Sequence, residues 1–197
     1  MQEFWIFFKI GLNHVLDIQG YDHVLFLIAL TVPYAFKDWT RVVLLVSVFT
    51  LGHTLALILS VFNIVVVKAN LVEFIIPITI LITAFYNLFT AGKTAKNTSI
   101  SFIGFVTLFF GIIHGLGFSN YFKTMLSGEA IDKLPNLLQF ALGIQVAQII
   151  VVIAVLLLSF AFQTLFRFNK RDFTLTMSAF VIGVVVPLII ESPIWKK

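Results

Sequence analysis

The sequence predicts an all-α, polytopic integral membrane protein with about six transmembrane helices, the first of them broken. Its composition is 60% hydrophobic and 11% charged, with a mean hydropathy of +1.06, whereas a soluble domain is about one-quarter charged. Its apolar residues also occur in runs of twenty or more, without the alternating ten-residue pattern of a membrane barrel. Both observations favour helices that cross a bilayer.

Six apolar runs are long enough for a spanning helix, which needs about 20 residues. They cover residues 4–33, 41–61, 70–90, 100–121, 135–166 and 174–192. Because these runs fill the chain, we predict a single transmembrane domain over residues 1–197. The first run contains an acid at Glu3 and lacks a basic start and a small-residue cleavage site, so we interpret it as mature structure rather than a signal peptide.

The basic residues of the connections predict an orientation. Three connections that fall on one side carry Lys37, Arg41, Lys93, Lys96, Arg167, Lys170 and Arg171. By the positive-inside rule this side is cytoplasmic, which places both termini outside, in the periplasm if the protein lies in a bacterial inner membrane. The same placement explains the net charge of +4 without a nucleic-acid partner. The expected partners are the lipid bilayer and a metal ion, and a homo-oligomer is left open.

The first run contains an unusual polar stretch, "GLNHVLDIQGYDHVLFLIAL". Asp22 is suited to cap a helix N-terminus, and Asp17 can bond its own backbone in a turn. A helix that breaks here and restarts at Asp22 would bring His14 back toward His23. Because irregular backbone at membrane depth is tolerated only where it is buried in protein or lines a cavity, the stretch predicts a polar pocket reached from outside.

Three histidines on three predicted helices fall at one depth. At 1.5 Å per residue, His53 lies roughly 18 Å and His114 roughly 21 Å from the inner ends of their helices, and His23 roughly 15–20 Å from its own. The chain has no cysteine, so a metal site must use nitrogen and oxygen ligands. We therefore predict that these three residues share a divalent ion at about 2.0–2.1 Å, with His14 and Asp22 as further ligands.

Each of these residues also has a purely structural interpretation. A lone histidine in a membrane helix is often an interhelical hydrogen-bonding group. Asp22 has three alternatives: a helix cap, a metal ligand, or a carboxylate that orients the imidazole of His23. For Asp17 a turn or the rim of the pocket is the expected role.

Glycines in "GIIHGLGFSN" predict a close helix crossing in the fourth run. Gly111 and Gly115 form a G-x-x-x-G pair, which allows another helix to approach the backbone. His114 lies between them, so we expect the crossing to hold its side chain in place.

Neutral polar residues accompany the histidines. Thr50 and Thr54 lie within one turn of His53, and we expect their hydroxyls to bond to their own helix. Gln145 and Gln148 in "LGIQVAQII" are expected to hold helices together rather than to bind metal, since uncharged amides in lipid usually bond across helices.

Five blocks of the chain resemble, in order and spacing, those of the HupE/UreJ family of bacterial membrane proteins. The blocks are "GLNHVLDIQGYDHVLFLIAL", "FTLGHTLAL", "VEFIIPITI", "FFGIIHGLGFSN" and "LGIQVAQ". The resemblance covers nearly the whole chain and implies a six-helix protein associated with nickel or cobalt, regarded as a permease. The residues that match the family's polar positions are His14, Asp22, His23, His53 and His114.

The chain also departs from the pattern of that family. It has Asn13, Tyr86 and Gln145 where many relatives carry glutamate, and its spacing "HVLDIQGYDH" is longer. The resemblance therefore implies a pocket with the family's histidines but with fewer carboxylates.

Three function classes remain open. The favoured one is binding and transport of a divalent transition metal ion, with zinc, nickel or cobalt as the ion, since imidazole suits these metals. The second is a zinc-dependent intramembrane hydrolase, similar in residue types to the intramembrane amidases related to alkaline ceramidases, with Asp22 as general base and Ser47 as a further catalytic residue. The third is a non-catalytic metal-binding accessory protein or sensor.

Overall fold

A computed structural model describes residues 2–92, 100–125 and 133–195. Over these residues the protein is all-α, with no strand. The helices are α1 (Gln2–Leu16), α2 (Asp22–Thr31), α3 (Trp39–Val61), α4 (Ala69–Thr90), α5 (Ile100–Met125), α6 (Leu134–Leu165) and α7 (Lys170–Ile190), with short 3-10 turns at Phe36–Asp38 and Pro193–Trp195. Helices α3 to α7 are long and apolar enough to cross a membrane, so the predicted polytopic fold is confirmed.

The first apolar run is broken, as the sequence predicts. Helix α1 has 15 residues and α2 has 10, which correspond to about 22 Å and 15 Å, so neither alone spans a hydrocarbon core of about 30 Å. Between them the carboxylate of Asp17 accepts a hydrogen bond from the backbone N–H of Gln19 at 2.9 Å. The turn role expected for Asp17 is therefore confirmed.

Of the three alternatives for Asp22, the helix cap is wrong. Tyr21 occupies the N-cap position of α2, and Asp22 is the first residue of the helix. An N-cap side chain accepts from a backbone N–H two or three residues ahead. Asp22 instead accepts from the adjacent backbone N–H of His23 at 2.8 Å, because its carboxylate is turned toward that residue.

Helices α3 and α5 cross in close contact through glycines. A Cβ atom built on Gly111 would overlap the carbonyl oxygen of Phe49, and one on Gly115 would overlap that of His53. Gly52 makes the reciprocal approach from α3 to the backbone of α5 at Leu108. The predicted G-x-x-x-G crossing is therefore present, and its partner is the helix that carries His53.

A second glycine crossing joins α1 to α6. A Cβ atom on Gly11 would overlap the carbonyl oxygen of Phe140, and one on Gly143 would overlap that of Phe8. Each helix thus places its glycine against the backbone of the other. The bundle contains two tightly packed pairs, α1 with α6 and α3 with α5.

Helix α2 is held among the other helices by hydrogen bonds to its backbone. The amide of Asn87 on α4 donates to the carbonyl of Ala29 at 2.6 Å. The hydroxyl of Thr174 on α7 lies 3.1 Å from the carbonyl of Val32, just beyond the end of α2. These contacts fix the short helix that carries His23.

Candidate metal centre

All four histidines of the chain meet in one region of the bundle. The ring centroids of His14 and His23 are 4.6 Å apart, and each lies 5.7 Å from the ring of His53. The ring of His114 lies 5.2 Å from that of His23. The sequence prediction that residues on three separate helices reach one level is consistent with this cluster, and the break between α1 and α2 adds His14.

The ring nitrogens in this cluster have few protein partners. The Nε2 atom of each of the four histidines is buried and forms no hydrogen bond with the described residues. The same is true of Nδ1 of His53. Buried polar atoms are paired in the great majority of cases, and an unpaired one needs a physical reason. A set of metal ligands provides such a reason, since ring nitrogens that bind an ion have no hydrogen-bond partner in the protein. The cluster contains five such nitrogens.

Hydrogen bonds fix the tautomers of two of the rings. Nδ1 of His114 lies 2.8 Å from the carbonyl oxygen of Phe110, and Nδ1 of His23 lies 3.1 Å from a carboxylate oxygen of Asp22. Both oxygens can only accept, so each Nδ1 carries the hydrogen while the imidazole is neutral. The lone pair of Nε2 is then free to bind a metal.

The tightest group consists of His14, His23 and His53. One ligand nitrogen from each lies within 4.8 Å of the other two. Tetrahedral ligands at about 2.1 Å from an ion are about 3.4 Å apart, so modest side-chain rotation would close the group. The sequence prediction combined His114 with His23 and His53; in the structure His14 completes the tightest group and His114 lies beside it.

Asp22 is placed to orient His23. Its oxygen Oδ1 meets both the backbone N–H and the ring Nδ1 of that residue. A carboxylate in this relation to a metal-binding histidine fixes the ring and increases its basicity. The side chain of Asp22 is 28% exposed, while that of His23 is 3% exposed. The cluster therefore has a negative group on its accessible side.

Aromatic rings surround the histidines. The ring of Phe118 lies 3.9 Å from that of His14, and Phe140 lies within 6.3 Å of both His14 and His53. Phe26 and Phe49 cover the opposite side, next to His114. The sequence analysis did not identify these residues, because 23 phenylalanines give no signal that selects four.

A polar network begins one turn from His53 and joins α3 to α6. The hydroxyl of Thr50 lies 2.7 Å from Oε1 of Gln145 and 2.8 Å from Oε1 of Gln148. Gln145 also donates to the hydroxyl of Ser47 at 3.1 Å. The same hydroxyl lies 3.1 Å from the carbonyl of Val46, the bond within its own helix that the sequence predicts. A hydroxyl has a single hydrogen, so Thr50 can donate to one of these three oxygens at a time. The interhelical role predicted for both glutamines is therefore present.

The other hydroxyl groups of α3 bond locally. Thr54 donates to the carbonyl of Thr50 at 2.8 Å, as the sequence predicts. Ser47 donates to the carbonyl of Val43 at 2.8 Å and accepts from Gln145. The described contacts of Ser47 thus lie in the interhelical network and not at a histidine, which gives the hydrolase hypothesis no support from this residue.

Comparison with known families agrees with this arrangement. The model of the family described as HupE / UreJ protein matches residues 1–191. The chain belongs to the HupE/UreJ family. This family is linked to nickel and cobalt transport, and the histidine cluster is compatible with metal binding. No curated protein and no solved structure matches the chain significantly.

Proposed function

We propose that this HupE/UreJ protein binds a divalent transition metal ion at His14, His23 and His53 and moves it across the membrane. The observation that carries the proposal is the convergence of unpaired ring nitrogens from α1, α2 and α3. Neutral imidazole suits nickel, cobalt and zinc, whereas magnesium and calcium prefer oxygen ligands. His114 is positioned to serve as a fourth ligand, or to accept the ion as it leaves the triad.

The break between α1 and α2 supports an opening to the cluster. His14 and Asp22 are the partly exposed members, while His23, His53 and His114 are buried. A divalent ion that approaches from this side meets the carboxylate first, and opposite charge attracts it toward the rings. In the predicted topology this opening faces the periplasm, and we propose uptake from that side.

The network of Ser47, Thr50, Gln145 and Gln148 supports a route beyond the cluster. Along α3 it occupies the first two of the about four turns that separate His53 from the start of the helix at Trp39, the end predicted to be cytoplasmic. Its hydroxyl and amide oxygens are neutral ligands for a cation. We propose that the ion passes from imidazole nitrogen to these oxygens, which bind it more weakly and therefore release it.

The test combines metal content with transport. We expect protein purified without chelator or affinity metal to contain one nickel, cobalt or zinc ion per chain, and proteoliposomes to accumulate that ion. His53→Ala removes the most buried ligand of the triad and should abolish both properties. Thr54→Val changes the residue next to His53 and is the matched control. Among the described residues the hydroxyl of Thr54 donates to the carbonyl of Thr50 in its own helix, so both properties should persist.

The outcomes separate the function classes. A protein that binds no transition metal contradicts the entire proposal. Stoichiometric metal without uptake in the wild type contradicts transport and favours the accessory or hydrolytic alternatives. Uptake that survives His53→Ala would place the transport route elsewhere in the bundle.

A further inference from the structure

Two adjoining cavities lie at the end of the bundle opposite the opening at Asp22. The first has a volume of about 560 Å³ and lies between α2, α4 and α5. The second has a volume of about 480 Å³ and lies between the end of α4 and the start of α7. Pro33, Thr90 and Gly92 line both cavities, so the two adjoin, and we refer to them together as the cleft.

The inner part of the cleft is apolar. Its walls include Phe26, Ile82, Phe102, Val106 and Phe110. The ring of Phe26 lies 5.4 Å from that of His114. The backbone carbonyl of Phe110 accepts the hydrogen bond from Nδ1 of His114. The apolar end of the cleft is therefore lined by the two residues, Phe26 and Phe110, that contact His114. A cavity of this size accommodates a substantial part of an apolar ligand, since small-molecule sites occupy about 300–1,000 Å³.

The mouth of the cleft is basic. Lys170 and Arg171 line it and form the first turn of α7, after the N-cap residue Asn169. The partial positive charge of a helix N-terminus adds to that of the two side chains. Gly92, at a φ of 89°, brings the end of α4 next to the side chain of Arg171. The cationic side chains of Lys170 and Arg171 therefore lie at the opening of the apolar cleft.

We propose that this cleft is a binding site for an anionic phospholipid. The headgroup phosphate binds at Lys170 and Arg171, and an acyl chain extends between α2, α4 and α5 toward Phe26 and Phe110. Charge complementarity at the mouth selects an anionic headgroup over a zwitterionic one, and the apolar walls require a chain, which a free phosphate lacks. The lipid occupies the leaflet on the side where the loops of the protein are most basic.

The position of the mouth agrees with the distribution of anionic lipid. The connections at 34–41, 91–99 and 166–173 are the basic side of the sequence and are predicted to be cytoplasmic. Anionic lipids in the cytoplasmic leaflet attract lysine and arginine side chains near this surface. The two basic residues at the mouth therefore lie where an anionic headgroup is available.

The experiment measures lipid retention on the full chain by native mass spectrometry. Delipidated protein is incubated with equal amounts of phosphatidylglycerol and phosphatidylcholine that have identical acyl chains. We expect the wild type to retain phosphatidylglycerol at least several-fold more than phosphatidylcholine. Lys170→Gln/Arg171→Gln should reduce this preference to near unity, and Val106→Phe should reduce retention of both lipids by filling the apolar cleft.

A matched control changes the same number of charges at other helix starts. Lys68 and Lys133 occupy the N-cap positions of α4 and α6, and Lys68→Gln/Lys133→Gln should leave the preference unchanged. Equal retention of the two lipids by the wild type would overturn the proposal, as would a preference that survives Lys170→Gln/Arg171→Gln. Displacement of the lipid by millimolar inorganic phosphate would overturn it in favour of a free-anion site. Because Arg171 is exposed and Lys170 is only half-buried, their variant remains informative even if Val106→Phe fails to fold.

Discussion

Asp22 and His23 are adjacent in the sequence, and their side chains contact each other although successive helix residues are about 100° apart around the axis. The contact of 3.1 Å between Oδ1 and Nδ1 occurs at the first turn of α2, where the chain has just left the irregular segment. Asp22 is therefore more suited to orient the imidazole than to bind the ion itself. This distinction separates the interpretations that the sequence left open.

Asp22→Asn is expected to weaken metal binding without changing its stoichiometry. The imidazoles still supply the ligands, but the ring of His23 loses its anionic partner, a change that typically costs about 10- to 100-fold in metal affinity. Competition with a chromogenic chelator measures the affinity. Asp17→Asn is the control, since Asp17 lies in the exposed turn, and its affinity should equal that of the wild type. An unchanged affinity in Asp22→Asn would remove this carboxylate from the site.

The convergence of His23, His53 and His114 could be predicted because a helix is a regular rod, and its rise per residue converts sequence position into depth. The return of His14 toward His23 was also predicted, from the break between the helices, and is confirmed. That His14 replaces His114 in the tightest group depends on backbone angles in the turn at residues 17–21, which the sequence pattern does not give. The aromatic rings around the cluster could not be identified, since an apolar chain has phenylalanine on every face of its helices.

At the scale of the helices, the contact between α3 and α5 determines where His53 and His114 can lie. Gly115 is in direct contact with the backbone of His53 itself. The sequence predicted this crossing from the G-x-x-x-G spacing. It missed the crossing of α1 with α6, where Gly11 and Gly143 are single glycines without that spacing, and their pairing depends on long-range packing.

Gly115→Ala is expected to destabilise the protein and to weaken metal binding together. The added methyl group overlaps the carbonyl of His53, and overpacking of this kind typically costs about 1–3 kcal/mol. Thermal unfolding in detergent and metal competition measure the two effects. Gly183→Ala is the matched control, because a Cβ atom there meets no atom within 4 Å, and it should be neutral or slightly stabilising. Equal behaviour of the two variants would contradict the role of the crossing.

The α3–α6 network gives a prediction that separates binding from passage. Thr50→Val keeps the shape of the side chain but removes the hydroxyl that meets both glutamines. We expect metal stoichiometry to persist while the rate of uptake in proteoliposomes falls. Thr83→Val is the control, since within the described part of the chain the hydroxyl of Thr83 donates to the carbonyl of Thr79 in its own helix. An unaltered rate in Thr50→Val would place the inward route elsewhere.

At the scale of the whole molecule, the topology is a prediction from loop charge. The absence of native cysteine permits single-cysteine labelling without background. A cysteine at position 93, which lies outside the described residues, should react with an impermeant maleimide only after cells are opened. One at position 18, in the turn between α1 and α2, should react in intact cells. The reverse labelling pattern would show that the orientation in the membrane is opposite to the predicted one, and the direction of transport that we propose would then be wrong.

The two glycine crossings divide the histidines between separate mechanical units. His14 belongs to the α1–α6 pair, whereas His53 and His114 belong to the α3–α5 pair, and His23 lies on the short helix between them. Within each pair the backbones are in contact and have little freedom to slide. An ion at the centre would therefore join the two pairs at a second place, beside the hydrogen bonds between Thr50 and the glutamines of α6. Its release would leave that network as the polar link between the pairs, so coordination would change how firmly they are held together.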